Sequence, residues 1–240
     1  MSGETCSPAR PVVPRARVGV LISGRGSNMM ALVEAARAAD YPATIALVVS
    51  NRPDAAGLAW AASEGIATVA LDHKAFATRE DFDKAVDAAL VAAGVDIVAC
   101  AGFMRLMTPW LVQRWMNRMI NIHPALLPSF KGLDTHARAL AAGVMIAGCT
   151  VHVVREAMDE GPILGQAAVP VLADDTPLTL AERVLSAEHR LYPAVLALFA
   201  RDAFAIVADT ARLTVQTPVN PAAMLLSPGE ATADVVGQKR

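Results

Sequence analysis

Between residues 17 and 100 the chain alternates short apolar runs with longer segments of helical spacing, and a glycine or a capping residue marks most of the changes. Residues 17–23 (RVGVLIS), 44–50 (TIALVVS), 66–71 and 95–100 (VDIVAC) are short, mostly apolar runs bounded by turns, which predicts buried strands. Between them, residues 28–39 place Met29, Leu32, Val33 and Ala36 on one helical face. Residues 55–64 predict a helix closed by Gly65, and Thr78 caps another that Gly94 stops near Ala93. Such alternation constrains the chain to an α/β fold, a Rossmann-like, mostly parallel sheet with helices on both faces.

The second half changes rhythm. Residues 117–122 predict a strand that runs out at Asn121-Ile122-His123-Pro124, and residues 135–142 a short helix stopped by Gly143. Residues 149–154 and 162–171 predict two more strands, and the connection 155–161 is too short for a crossover, so this pair is antiparallel. Thr176 caps a last helix toward Phe199, which Pro193 is expected to bend. Residues 1–16, with Pro8, Pro11 and Pro14, predict a flexible extension lacking a signal-peptide core. Residues 216–240 predict a flexible tail, which leaves 17–215 as the folded domain.

A net charge of −2 argues against general binding to nucleic acid or a membrane surface, and no apolar run approaches the roughly 20 residues of a membrane helix. Cys6, Cys100 and Cys149 show no paired spacing, which fits a reducing cytoplasm. Neither His-x-x-x-His nor Cys-x-x-Cys occurs, so no metal site is expected.

Two constellations carry chemistry. Ser23-Gly24-Arg25-Gly26-Ser27-Asn28 lies between the first strand and first helix, where open α/β sheets bind ligands and free N–H groups meet phosphate. Met29 stands where a dinucleotide fingerprint needs its third glycine, and no Gly-Lys-Ser/Thr follows. The loop therefore suits one terminal phosphate and speaks against NAD, with a ligand-free tight turn as the alternative. Asn121 and His123 are two apart on an extended segment, so their side chains point the same way. An amide and a protonated imidazole suit the oxyanion and proton transfers of an acyl-transfer intermediate. Asp159, between two strands, is a candidate carboxylate to support the charged imidazole.

These segments resemble the phosphoribosylglycinamide formyltransferase family. The matching stretches are 20–28 (VLISGRGSN), 101–106 (AGFMRL), 121–128 (NIHPALLP), 148–152 (GCTVH), 158–162 (MDEGP), and Glu188-His189 with Tyr192-Pro193, in the family's order across residues 17–207. The resemblance implies the formyltransferase fold, with a phosphate-binding first half and a folate-binding, catalytic second half. It implies transfer of the formyl group of 10-formyltetrahydrofolate to the amine of 5-phosphoribosylglycinamide in purine biosynthesis, without metal or NAD. By the same resemblance Gly26, Ser27 and Asn28 take the substrate phosphate, and Glu188 lies near the other end of that substrate. The folate would meet Arg79, Met104, Arg105, Leu106, Met107, Asn121, Arg155, Glu156, Ala157, Met158 and Asp159. Asn121, His123 and Asp159 would be catalytic: Asn121 holds the formyl oxygen, His123 donates the proton, and Asp159 keeps His123 charged. Residues 131–136 (KGLDTH) depart from the family's Pro-Gly-Leu-His-Thr-His, and Arg25 fills a variable place in the glycine loop.

The nearest alternative is a formyltetrahydrofolate hydrolase, which shares the Asn-x-His centre but tends to carry His-His where this chain has His123-Pro124. Methionyl-tRNA formyltransferase resembles the core but needs a further domain and a more basic surface. A nicotinamide oxidoreductase and a non-catalytic folate- or phosphate-binding module are the rivals from other classes. Of the other histidines, His73 is expected to be solvated, His136 to sit near a helix start, His152 to be a hydrogen-bonded core residue, and His189 to accompany Glu188. A homodimer stays open.

Overall fold

The computed structural model of the protein describes residues 14–217 and 225–227. Most of the expected extension (1–16) and tail (216–240), and Cys6, lie outside the described residues.

Seven strands form one sheet: β1 (Ala16–Ile22), β2 (Ala43–Ser50), β3 (Thr68–Ala70), β4 (Ile97–Cys100), β5 (Met119–His123), β6 (Ile146–Val153) and β7 (Ile163–Pro170). Their order is β3-β2-β1-β4-β5-β6-β7. The first five pair in parallel, and β6 and β7 continue the sheet antiparallel, as the short connection required. Six helices connect or flank them: α1 (Ser27–Ala36), α2 (Ala56–Ser63), α3 (Arg79–Ala92), α4 (Pro109–Arg114), α5 (Thr135–Ala141) and α6 (Pro177–Phe199). A small hairpin, β8 (Phe204–Val207) and β9 (Thr210–Leu213), follows. No helix among the described residues is long and apolar enough to cross a membrane.

Side-chain alternation within single strands builds two cores. Val18, Val20 and Ile22 of β1 pack with Met29 and Leu32 of α1 and with Leu180, Val184 and Tyr192 of α6. Leu21, between them in sequence, faces Phe82, Val86 and Leu90 of α3 and Leu111 of α4. Helices thus cover both faces. Tyr192 is fully buried, and its hydroxyl lies 3.0 Å from the Cys100 carbonyl and 3.3 Å from that of Ile120. Leaving that phenol unpaired would cost about 1–3 kcal/mol, so the bond fixes α6 against β4 and β5.

Helix α6 opens with a capping box between Thr176 and Thr179 and runs through Pro193 without interruption. Helix α4, the β8–β9 hairpin and a short 3-10 turn at His73–Ala75 were not anticipated. Helix α4 has only six residues, too few to show a period, and the β8–β9 turn uses Ala208 and Asp209 at φ 47° and 60° instead of the usual Asn-Gly. Strand β5 starts two residues later than expected, because Asn117 is in the left-handed region at φ 57°.

Chain order positions the site. The connection from β1 leads to β2 on one side, while β4 adds on the other, so the loops after β1 and β4 part at the carboxyl ends of the strands. A crevice opens at such a switch point. On the α3 face, helices cover β1, β2 and β4, and Asn121 and His123 of β5 share that face with Met119.

Candidate active site

In the β5–β6 ladder Asn121 stands directly opposite His152, and His123 opposite Thr150. The β6–β7 connection folds over this polar patch and lowers Asp159 onto it. Asp159 Oδ2 lies 3.4 Å from His123 Nδ1 and accepts from Gly132 N at 2.8 Å, and Asp159 Oδ1 lies 3.7 Å from His152 Nε2. Asp159 sits at φ 58°, a conformation Asp tolerates better than most residues. His123 and His152 are both buried.

Hydrogen-bond partners separate the two rings. His123 Nε2 lies 3.0 Å from the Phe130 carbonyl, an acceptor only, while its Nδ1 faces the Asp159 carboxylate. A ring carrying protons on both nitrogens satisfies both neighbours. His152 Nδ1 donates to the Val153 carbonyl at 3.0 Å, which leaves Nε2 free to accept from Asn121 Nδ2 at 3.2 Å. Burial holds the His152 pKa below the ordinary imidazole value, in keeping with a neutral ring. The Asn121 amide is thereby oriented, with its second N–H left for another acceptor. His136 on α5 is half-buried, and its pKa is lowered by burial first and then by the nearby His123.

The glycine loop follows β1, which β4 separates from β5 in the sheet. Gly26, at φ 71°, turns the chain into α1, with Ser27 and Asn28 as its first residues. The loop lines a cavity of ≈ 460 Å³ together with Asn51, Arg52, His73, Gly102 and Met104. Ser23 Oγ accepts from Met104 N at 2.7 Å and donates to Asn51 Oδ1 at 2.5 Å, tying the loops after β1 and β4 together. Helix α2 comes close because Gly57 has no side chain: a Cβ there would lie 3.0 Å from both the Gly24 and Arg25 carbonyl oxygens. His73, expected in solvent, instead packs half-buried in this wall, with Nδ1 2.9 Å from the Asn51 carbonyl and its ring edge-on to Phe82.

Asn28 Nδ2 donates to Glu188 Oε2 at 2.6 Å, joining the loop to α6. Burial raises the Glu188 pKa, and the Asn28 bond pulls it partly back. Asn28 Oδ1 and His189 Nε2 are buried and find no hydrogen-bond partner among the described residues. Unpaired polar atoms of this kind are costly unless a ligand serves them.

The residues assigned to folate by resemblance fall on four segments: the start of α3, the loop after β4, β5 and the β6–β7 connection. Met104 and Leu106, after β4, are 69% and 60% exposed, and Met158, on the Asp159 loop, is 53% exposed, so these loops present apolar surface to solvent. Met107 packs partly into the α3-side core, and the Arg105 guanidinium stacks on Phe82 at 4.6 Å. Arg79 opens α3 one turn before Phe82, exposed and outside the Asn121–His123–Asp159 cluster. Glu156 accepts from Gln113 at 2.7 Å, and Ala157 is exposed. The Arg155 guanidinium turns to Asn117 and Asp209, away from His123. His152 is by burial the core histidine that its apolar strand implies. Its pairing with Asn121 depends on strand register, which no local signal announces.

Comparison with known proteins follows the same outline. The formyl transferase family model matches residues 16–196. The chain is 50% identical over 186 residues to the Homo sapiens trifunctional purine biosynthetic protein adenosine-3, covering 78% of this chain but only 18% of that longer protein. It is 42% identical over 181 residues to the Escherichia coli (strain K12) phosphoribosylglycinamide formyltransferase, covering 75% of this chain and 85% of that one. The crystal structure of glycinamide ribonucleotide transformylase 1 from Symbiobacterium toebii aligns with a TM-score of 0.81 at 45% identity, over 83% of this chain and 94% of that one.

Proposed function

The chain belongs to the phosphoribosylglycinamide formyltransferase family, and from that premise we propose that it transfers the formyl group of 10-formyltetrahydrofolate to the amine of 5-phosphoribosylglycinamide, in purine biosynthesis. The observation that carries this reading is the meeting of Asn121, His123 and Asp159 over one sheet face, with a glycine loop after β1 of the same sheet. The amine lone pair attacks the formyl carbon, and the carbonyl electron pair moves to oxygen. The free N–H of Asn121 and the His123 imidazolium stabilise that oxygen. The His123 Nε2 proton, held by the Phe130 carbonyl, exchanges that partner for the substrate oxygen. Collapse of the intermediate breaks the bond to N10 of tetrahydrofolate, which takes up the proton lost by the attacking amine. Asp159 holds His123 in place and balances its charge.

Gly26, Ser27 and Asn28 receive the substrate phosphate through backbone N–H groups and the Ser27 hydroxyl, while Glu188 and the unpaired Asn28 Oδ1 meet donors of the same substrate. The pterin lies against Met104, Leu106 and Met107. The unit carrying this activity spans residues 17–215 and acts in the cytoplasm on two small molecules. The test is tetrahydrofolate release from 10-formyltetrahydrofolate with and without 5-phosphoribosylglycinamide. Release that needs the acceptor supports the reading; release into water alone assigns a hydrolase, and none at all overturns both.

A further inference from the structure

We infer that Arg155, Asn117 and Asp209 form a clamp that fixes the Asp159 loop to the β8–β9 hairpin, so that a hairpin outside the matched family segment sets the geometry of the catalytic centre. The inference rests on the transfer reading above, with Arg155 as a positioning residue.

The loop between β6 and β7 has a tight neck. Val153 N donates to the Pro162 carbonyl at 2.9 Å, and Val154 N to the Met119 carbonyl at 2.9 Å. A Cβ on Gly161 would lie 1.7 Å from the Val153 oxygen, so only glycine closes the neck. At its far end the loop is held by Asp159, through Gly132 N and His123. Between these points Ala157 and Met158 are exposed, with the Met158 methyl over Gly132, and Glu156 reaches Gln113 only through an exposed contact.

Arg155 supplies what the middle lacks. Its Nε donates to Asp209 Oδ1 at 2.7 Å, one terminal nitrogen to Asn117 Oδ1 at 2.7 Å, and the other to the Val154 carbonyl at 3.1 Å. A planar guanidinium with three acceptors in three directions has one orientation. The Arg155 side chain is 14% exposed and the Asp209 side chain 57%, so the guanidinium is sheltered while the carboxylate stays in solvent. Both side-chain acceptors come from residues in left-handed turns, Asn117 at φ 57° and Asp209 at φ 60°. The guanidinium that family resemblance would offer to folate is therefore engaged in holding the loop.

The test uses the full chain as Arg155→Met, Asp209→Gly and the double variant; glycine keeps the left-handed turn while removing the carboxylate. Amide hydrogen exchange over residues 155–161 and at Gly132, read without substrate, is expected to quicken about 10-fold in each single variant. Turnover should fall about 10-fold with KM for 5-phosphoribosylglycinamide unchanged, as a small displacement of a catalytic group predicts. The double variant should be no slower than the singles, because both cut one linkage. Unchanged exchange in either single variant, or strictly additive losses, overturns the clamp. Should the wild-type chain transfer no formyl group, the exchange data still decide the clamp, since they need no activity.

Discussion

Replacing Asp159 by Asn removes one charge and little else. Asn matches the volume of Asp, tolerates φ 58°, and its Oδ1 can still accept from Gly132 N. What disappears is a carboxylate 3.4 Å from His123 Nδ1. At an effective dielectric of about 20, opposite unit charges at that distance attract by about 5 kcal/mol, which sets a ceiling of between three and four decades in rate. The retained Gly132 bond keeps part of the loop geometry, so the expected fall in kcat is about 1,000-fold. KM for 5-phosphoribosylglycinamide should stay within about threefold, because the proposed phosphate site is the glycine loop and not Asp159. The melting temperature should move by less than about 4 °C. Steady-state tetrahydrofolate release and a thermal melt on the same preparation decide the matter. A variant turning over within about threefold of wild type would remove Asp159 from the chemistry, and a collapsed melt would reassign it to folding.

Three other substitutions probe the rest of the site. Glu188 has its pKa raised by burial, so the folded state binds its proton more tightly than the unfolded chain, and stability falls as pH rises from the ordinary carboxylate value through the raised one. Glu188→Gln should therefore raise the melting temperature at pH near 7 and have less effect near pH 4, which melts across that range would measure; an equal gain at both ends would contradict the linkage. Gly57→Ala would press a methyl on the Gly24 and Arg25 carbonyls and shift the glycine loop, raising KM for 5-phosphoribosylglycinamide by about 10-fold with a smaller change in kcat. Gly148→Ala would place Cβ 2.0 Å from the Ala167 oxygen and force β6 from β7, costing at least about 2 kcal/mol in a urea titration.

The parallel half was legible because each buried strand is a short apolar run bounded by turns, so residues 17–100 reveal strand and helix without knowledge of partners. Asn121 and His123 were legible as a pair for a similarly local reason, the period of two along an extended chain. Asp159 was not local. Its approach to His123 depends on how the β6–β7 connection folds over the sheet, and the residues around it do not separate a partner for His123 from an ordinary turn carboxylate. The hairpin stayed hidden because Ala208-Asp209 carries none of the glycine that left-handed turns usually require. His73 was misjudged because a polar loop suggests solvent, whereas Phe82 and Asn51 enclose its ring.

The antiparallel turn of the sheet after β5 explains why two histidines so close together do different work. A parallel sixth strand would need a crossover, which on this face would cover Asn121 and His123 with a helix. Instead β6 returns at once, sets His152 opposite Asn121, and leaves a connection free to carry Asp159. His123 then lies between two acceptors and suits a doubly protonated ring, while His152 lies between an acceptor and an amide donor, with Asp159 Oδ1 at 3.7 Å beyond hydrogen-bond reach, and suits a neutral one. The neutral ring has a use of its own. By accepting one N–H of Asn121 it leaves the other with a fixed direction, so in the proposed transfer the amide would serve the formyl oxygen without first reorganising. Were His152 charged, its Nε2 would become a donor facing a donor, and the amide would have to turn. The burial that lowers the His152 pKa thus keeps the Asn121 amide in place, whereas His123 beside it faces a carboxylate that folding alone brings near.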